Sequence, residues 1–207
     1  DVYKRQAPPF TTSTLQQEAS RKFGMSVSQT MSIAQRLYEQ GLITYMRTDS
    51  VNLSSLALGQ CKQEITALFG EKYSNAHNYT TRSKGAQEAH EAIRPSYIDR
   101  RTIEGTAAEK RLYELIWKRT VASQMVAADI DRTTINISCS GNDATFTATG
   151  EMIRFDGFLR LYSESTEEEN EQGESLLPKL TAGDEVKAAS VTATERFSVP
   201  PMRCLLY

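Results

Sequence analysis

The sequence predicts an α+β chain, a helical part followed by an antiparallel β part, and two observations carry that prediction. Apolar residues recur at helical spacing, with capping residues ahead of them and glycines behind, as far as about residue 131; beyond Arg132 the period falls to two. The charge divides at the same place. Residues 1–132 hold 18 Lys and Arg against 14 Asp and Glu, whereas residues 133–207 hold 6 against 12. A basic part suits contact with phosphate and an acidic part suits solvent, a contrast that the overall net charge of −2 conceals.

Each element follows from a local pattern. Over 14–23, Leu15, Ala19 and Phe23 lie four residues apart on one face, and Gly24 is placed to end the helix. After the joint Met25-Ser26-Val27, Ser28 is expected to cap a second helix with Met31, Ala34, Leu37 and Tyr38 on its apolar face, ending at Gly41. Residues 42–46 are too few for a helix and rich in strand formers, so they predict a short strand running into the polar loop 47–50. Ser54 caps a third helix whose stripe is Leu58, Cys61, Ile65 and Leu68, stopped at Gly70. A polar stretch, 71–83, leads to a short helix over 86–93 that Pro95 ends. The longest helix is expected over 106–126, with Leu112, Leu115, Ile116, Trp117, Arg119 and Val121 on its inner side.

The β part begins with alternating Ile135, Ile137 and Cys139, a turn at Ser140-Gly141-Asn142-Asp143, and a returning strand led by Phe146. Strands are also expected over 152–162 and 186–197. Between them, 163–175 holds six Glu and no Lys or Arg, which predicts a solvated loop. The ends, 1–6 and 202–207, show no pattern of their own and suggest truncated or non-native termini of a fragment.

With 39% hydrophobic and 24% charged residues over 207 positions, the composition is that of a globular chain and not of a disordered or collagenous one. No apolar run approaches the roughly 20 residues that span a bilayer, so no membrane partner is expected. Cys61, Cys139 and Cys204 stand far apart without a CxxC pair, which indicates neither a disulfide framework nor a zinc ribbon and points to the cytoplasm.

Helix, turn, helix, strand and loop over 11–50 is the order of a winged-helix DNA-binding module. Within it, alternation along Ile43-Thr44-Tyr45-Met46-Arg47 places a phenol and a guanidinium on one side. Such a pair can act on a phosphodiester, the phenol as nucleophile and the guanidinium gripping a non-bridging oxygen. A tyrosine phenol ordinarily titrates near 10, so full ionisation at neutral pH costs roughly 4 kcal/mol. Loss of its proton during attack, with the phosphate charge neutralised at the same moment, avoids that cost. The competing reading is a non-catalytic winged-helix module whose Tyr45 packs or stacks on a base; Arg36 as the only cation over 31–40 argues against it. His90, with Gln87 and Arg94 one helical turn either side, suits contact with phosphate or with a leaving oxygen. No phosphate-binding glycine loop, HExxH motif or closely spaced Asp cluster for magnesium is present.

The run Gly41-Leu42-Ile43-Thr44-Tyr45-Met46-Arg47-Thr48-Asp49-Ser50 resembles the active-site segment of type IA DNA topoisomerases. Thr12-Ser13-Thr14-Leu15-Gln16-Gln17 upstream and Gln87-Glu88-Ala89-His90-Glu91-Ala92-Ile93-Arg94-Pro95-Ser96 downstream agree with it, and the resemblance runs from about Ala7 to Pro201. It implies that Tyr45 attacks single-stranded DNA and becomes joined to a 5′ phosphate, with Arg47 placing the scissile phosphate and His90 assisting. Arg47, Asp49, Gln87 and Arg94 are then the expected DNA contacts. The resemblance also implies a helical, tyrosine-bearing gate domain over 7–131 and a β-rich part of an arch over 132–201. Magnesium would be held by a Toprim domain outside this chain, with no metal site in the chain itself. The implied whole is a monomeric, nucleoid-associated enzyme that relaxes negative supercoils, of which this fragment keeps single-strand binding and not activity.

Overall fold

Four helices form because each apolar stripe has a cap at its head. Thr11, Ser26, Ser54 and Thr106 are extended residues whose hydroxyls accept a bond from the amide three residues on. They open α1 (Thr12–Phe23), α2 (Val27–Glu39), α3 (Ser55–Phe69) and α4 (Ala107–Ser123). The computed structural model describes residues 2–79, 91–139, 141, 143, 145–162 and 183–187. Residues 1–177 form one compact unit; in the second, 178–207, the described residues are irregular.

One apolar core joins the helices: Leu15 and Ala19 of α1, Ile33 and Leu37 of α2, Cys61 and Ile65 of α3, and Leu112, Ile116 and Val121 of α4. Because α4 is covered on most sides, its Leu115, Trp117 and Arg119 are buried as well. Arg119 is accommodated by bonding, since Nε donates to the Pro8 carbonyl at 2.7 Å and the guanidinium lies 4.8 Å over the Phe10 ring.

β1 (Val2–Lys4), β2 (Ala128–Ser138) and β3 (Thr145–Phe155) make an antiparallel sheet in that order, with Val2 opposite Ile130 and Ile137 opposite Phe146. Only the start of β2 is buried; away from it the hairpin exposes Phe146, Met152 and Ile153. Charge pairs hold its two strands across the register, Arg132 to Glu151 directly opposite and Arg154 to Asp131 on the diagonal. The hairpin root is tied to α3 through Tyr73: its carbonyl accepts the Val126 amide at 2.9 Å and its hydroxyl donates to Asp156 at 2.8 Å.

Several expectations from the sequence are corrected. Ser26, not Ser28, caps α2, because Gly24 at φ 64° turns the chain tightly enough for the helix to start earlier. The buried stripe of α2 is Thr30, Ile33, Ala34 and Leu37, leaving Tyr38 exposed. Residues 42–46 form no strand; a single bridge joins Ile43 to Pro95, and a ladder cannot extend through a proline that lacks the N–H. Residues 91–93 are extended, with Ile93 bridged to Phe10, and the rest of that expected helix lies outside the described residues.

α4 ends at Ser123 rather than Val126, where the amides of Gln124 and Met125 fold back onto Val121 and Ala122. β3 stops at Phe155, and the expected strand over 152–162 becomes a 3-10 turn, Gly157–Arg160. Gly157 sits at φ 49°, and a Cβ there would lie 2.5 Å from the Val126 carbonyl oxygen, so only glycine lets the turn close on the α4–β2 connection. Residues 186 and 187 are irregular, and the remainder of the expected strand 186–197, like the acidic loop 163–175 and nearly all of the expected hairpin turn, lies outside the described residues. At the other end, Val2–Lys4, for which the sequence offered no pattern, forms β1.

Candidate active site

The Tyr45 segment is irregular in backbone yet fixed at both sides by threonine hydroxyls. Upstream, Thr12 at the head of α1 donates its hydroxyl to the Met46 carbonyl at 2.9 Å and to the Thr48 carbonyl at 3.1 Å. The same hydroxyl accepts the Thr48 amide at 2.9 Å, while the Thr12 amide donates to the Thr48 carbonyl at 2.9 Å. On the other side, the Thr44 hydroxyl donates to the Ala92 carbonyl at 2.7 Å and accepts the Arg94 amide at 2.9 Å. Main-chain bonds from Thr44 to Arg94 and from Ser96 to Leu42, both 2.9 Å, continue the join. Thus the tyrosine motif is seated between the other two motifs, which explains physically why all three occur together.

Burial alternates along the seated segment. Met46, Thr48 and Ser50 are buried while Tyr45, Arg47 and Asp49 are exposed, and Tyr45 keeps 40% of its surface. The side-by-side arrangement expected of a strand is therefore reached without a strand, because inward anchors on alternate residues impose the same period. Among the described residues Arg47 makes no ion pair, and its guanidinium stands open to a phosphate. The Tyr45 ring meets Tyr38, at the end of α2, with centroids 5.4 Å apart and planes at 69°.

Arg94 is placed differently. Its Nε and Nη2 donate to Glu91 Oε2 at 3.0 and 2.7 Å, Nη1 donates to the Pro95 carbonyl at 2.8 Å, and the side chain is only 11% exposed. Glu91 also accepts the Ser54 amide at 2.6 Å, linking the start of α3 to this loop. Burial acts to raise the Glu91 carboxyl, but the bonds from Ser54 and Arg94 prevail and hold it below the usual range. Gln87 and His90 lie outside the described residues. Among the described residues no group of three or more His, Cys, Asp or Glu could hold a metal ion, so the magnesium that the resemblance implies has no donor set there and no step below passes through it. Thr12, Thr44 and Tyr38 were not singled out in the sequence as site residues. Position within the three motifs was the available signal for the threonines, and a place beside the α2 stripe was the signal for Tyr38.

A family model described as DNA topoisomerase matches residues 1–204. The chain belongs to that family. DNA topoisomerase 1 of Mycolicibacterium smegmatis is 47% identical over 97% of this topoisomerase chain, which spans 23% of that relative. The enzyme of the same name from Zymomonas mobilis is 44% identical over 98% of the chain, which spans 17% of it. The solved full-length topoisomerase I of Thermotoga maritima is similar with a TM-score of 0.68 and 38% identity, covering 80% of this chain and 28% of that one. Helices with a three-stranded antiparallel sheet thus agree with the α+β class expected from the sequence. No helix is long and apolar enough to cross a membrane among the described residues.

Proposed function

We propose that this topoisomerase chain carries the nucleophile of a type IA enzyme, and that Tyr45 cleaves and rejoins single-stranded DNA. One observation supports this above others: an exposed phenol and an open guanidinium lie two residues apart on a segment whose backbone is held by hydroxyl clamps on both sides. Tyr45 Oη bonds to the phosphorus as the bond to the 3′ oxygen breaks; the phenol gives up its proton and the 3′ oxygen gains one. A phosphodiester is exchanged for a 5′-phosphotyrosyl ester of similar energy, and the reverse attack reseals the strand. Arg47 binds a non-bridging oxygen and offsets the charge that builds there, and clamping the backbone supplies the orientation on which such attack depends. His90 assists at the phosphate or the leaving oxygen, and Asp49 and Gln87 contact the strand. Arg94, proposed from its motif as a DNA contact, serves chiefly to brace the loop, given its bonds to Glu91 and Pro95.

In this reading 7–131 is the gate, winged-helix-like over 11–50, and 132–201 is part of the arch. The complete enzyme is a monomeric cytoplasmic protein that uses magnesium bound by its Toprim domain to relax negative supercoils. The chain alone binds single strands in a salt-sensitive way through its basic part and does not relax plasmid. In the full-length enzyme, Tyr45→Phe is expected to abolish the covalent adduct with a single-stranded oligonucleotide; an adduct formed by that variant excludes Tyr45. For the 207-residue chain, titration at fixed salt is expected to favour single strands, and preference for duplex instead supports a winged-helix binding module.

A further inference from the structure

The clamps on Thr12 and Thr44 hold the backbone of the Tyr45 segment, yet they leave its side-chain torsions unfixed. A half-exposed phenol on such a segment can sample more than one staggered rotamer, and only one of them aims the oxygen at a given phosphorus. Tyr38 provides the missing restraint. It sits in the last turn of α2, beside fully buried Leu37, and its carbonyl accepts the Gly41 amide at 2.8 Å as the helix ends. Its ring lies off the buried stripe, 41% exposed, so core packing does not account for an aromatic there. The one aromatic contact it makes among the described residues is the near-perpendicular one to Tyr45 at 5.4 Å, a favoured edge-to-face geometry.

We propose that Tyr38 is a positioning residue for the reaction, its ring selecting the rotamer in which the Tyr45 phenol meets the scissile phosphate. This rests on Tyr45 being the nucleophile. The helix end fixes Tyr38, the quadrupoles of the rings fix their mutual angle, and the Tyr45 torsions follow. The hydroxyl of Tyr38 has no part in this, so phenylalanine can replace it. Neither does the contact hold DNA, so the effect falls on the rate of cleavage and not on affinity.

The test is single-turnover cleavage of a single-stranded oligonucleotide by the full-length enzyme, with affinity measured separately by titration. Tyr38→Leu keeps helix propensity and apolar bulk but removes the ring. It is expected to slow cleavage about tenfold, the equivalent of one aromatic pair contact, with the dissociation constant unchanged. Tyr38→Phe is expected to restore the wild-type rate. In the 207-residue chain, Tyr38→Leu also removes the ring-current shift on the Tyr45 ring protons in NMR spectra, whereas Tyr38→Phe retains it. The proposal is overturned if Tyr38→Leu cleaves at the wild-type rate, if Tyr38→Phe is as slow as Tyr38→Leu, or if the loss lies in affinity. Tyr45→Phe run in parallel separates the two ideas. An adduct on Tyr45→Phe refutes the nucleophile itself, while a silent Tyr45→Phe with a fast Tyr38→Leu refutes only the positioning.

Discussion

Arg119 on α4 donates from Nη1 to the Tyr162 hydroxyl at 3.2 Å inside the protein, and that hydroxyl in turn donates to Glu18 of α1 at 3.1 Å. One phenol therefore stands between a buried cation and a buried carboxylate, joining two helices to the chain that follows the hairpin. Burial, countered in part by Arg119, raises the Tyr162 phenol well above its ordinary range and keeps it a neutral donor. Tyr162→Phe removes the oxygen and leaves both charges with less satisfaction. A loss of about 1–3 kcal/mol is expected, seen as a lower urea midpoint with an unchanged slope; an unshifted midpoint disproves the role.

Thr12→Val keeps the shape of the side chain and removes the hydroxyl that serves the Met46 and Thr48 carbonyls. The effect is expected to be local. Hydrogen exchange at the Thr48 amide, which that hydroxyl accepts, should quicken on the order of tenfold, the equivalent of one lost hydrogen bond, with helix content unchanged. Exchange equal to wild type at Thr48 means that the clamp does not hold the loop.

Acid should loosen the head of α4. The Glu109 carboxyl is lowered from 4.5 to about 2, chiefly by the bond from Arg36 Nε and then by the amide and hydroxyl of Thr106. Because the folded value lies below the unfolded one, its contribution is fully present above pH 4.5 and is lost as pH falls toward 2. Glu109→Gln is expected to melt lower than wild type near pH 6. The gap should narrow across that acid window; a gap independent of pH contradicts the assignment.

Thiol reactivity separates two of the three cysteines. Burial, opposed by Arg94, pushes the Cys61 thiol up to about 12, and the side chain has no exposed surface. Cys139 is half-buried at the end of β2. At pH 8 a thiol reagent is expected to modify Cys139 in the folded chain and Cys61 only after denaturant is added. Peptide mapping that finds Cys61 modified early would show α3 opening locally.

The local chemistry of the sequence was enough to determine the helices, their caps at Ser54 and Thr106, the hairpin after Arg132 and the Tyr45 motif. Those features depend on residues a few positions apart, where apolar spacing, a hydroxyl before a helix and a glycine after it act directly. Other features depended on partners distant in sequence. The expected strand over 42–46 was lost because its neighbour is Pro95, and the N-terminal strand gained its order from Ala128–Ile130, which no pattern within 1–6 could announce. Tyr38 read as part of a helix face until Leu37 and Ile33 took the core and left its ring against Tyr45. Arg94 read as a cation for phosphate until Glu91 and the Pro95 carbonyl claimed its donors. The sequence therefore determined which residue types are present to act on DNA, while the tertiary structure decided which of them face outward, since burial and hydrogen-bond partners are settled only when separate segments pack.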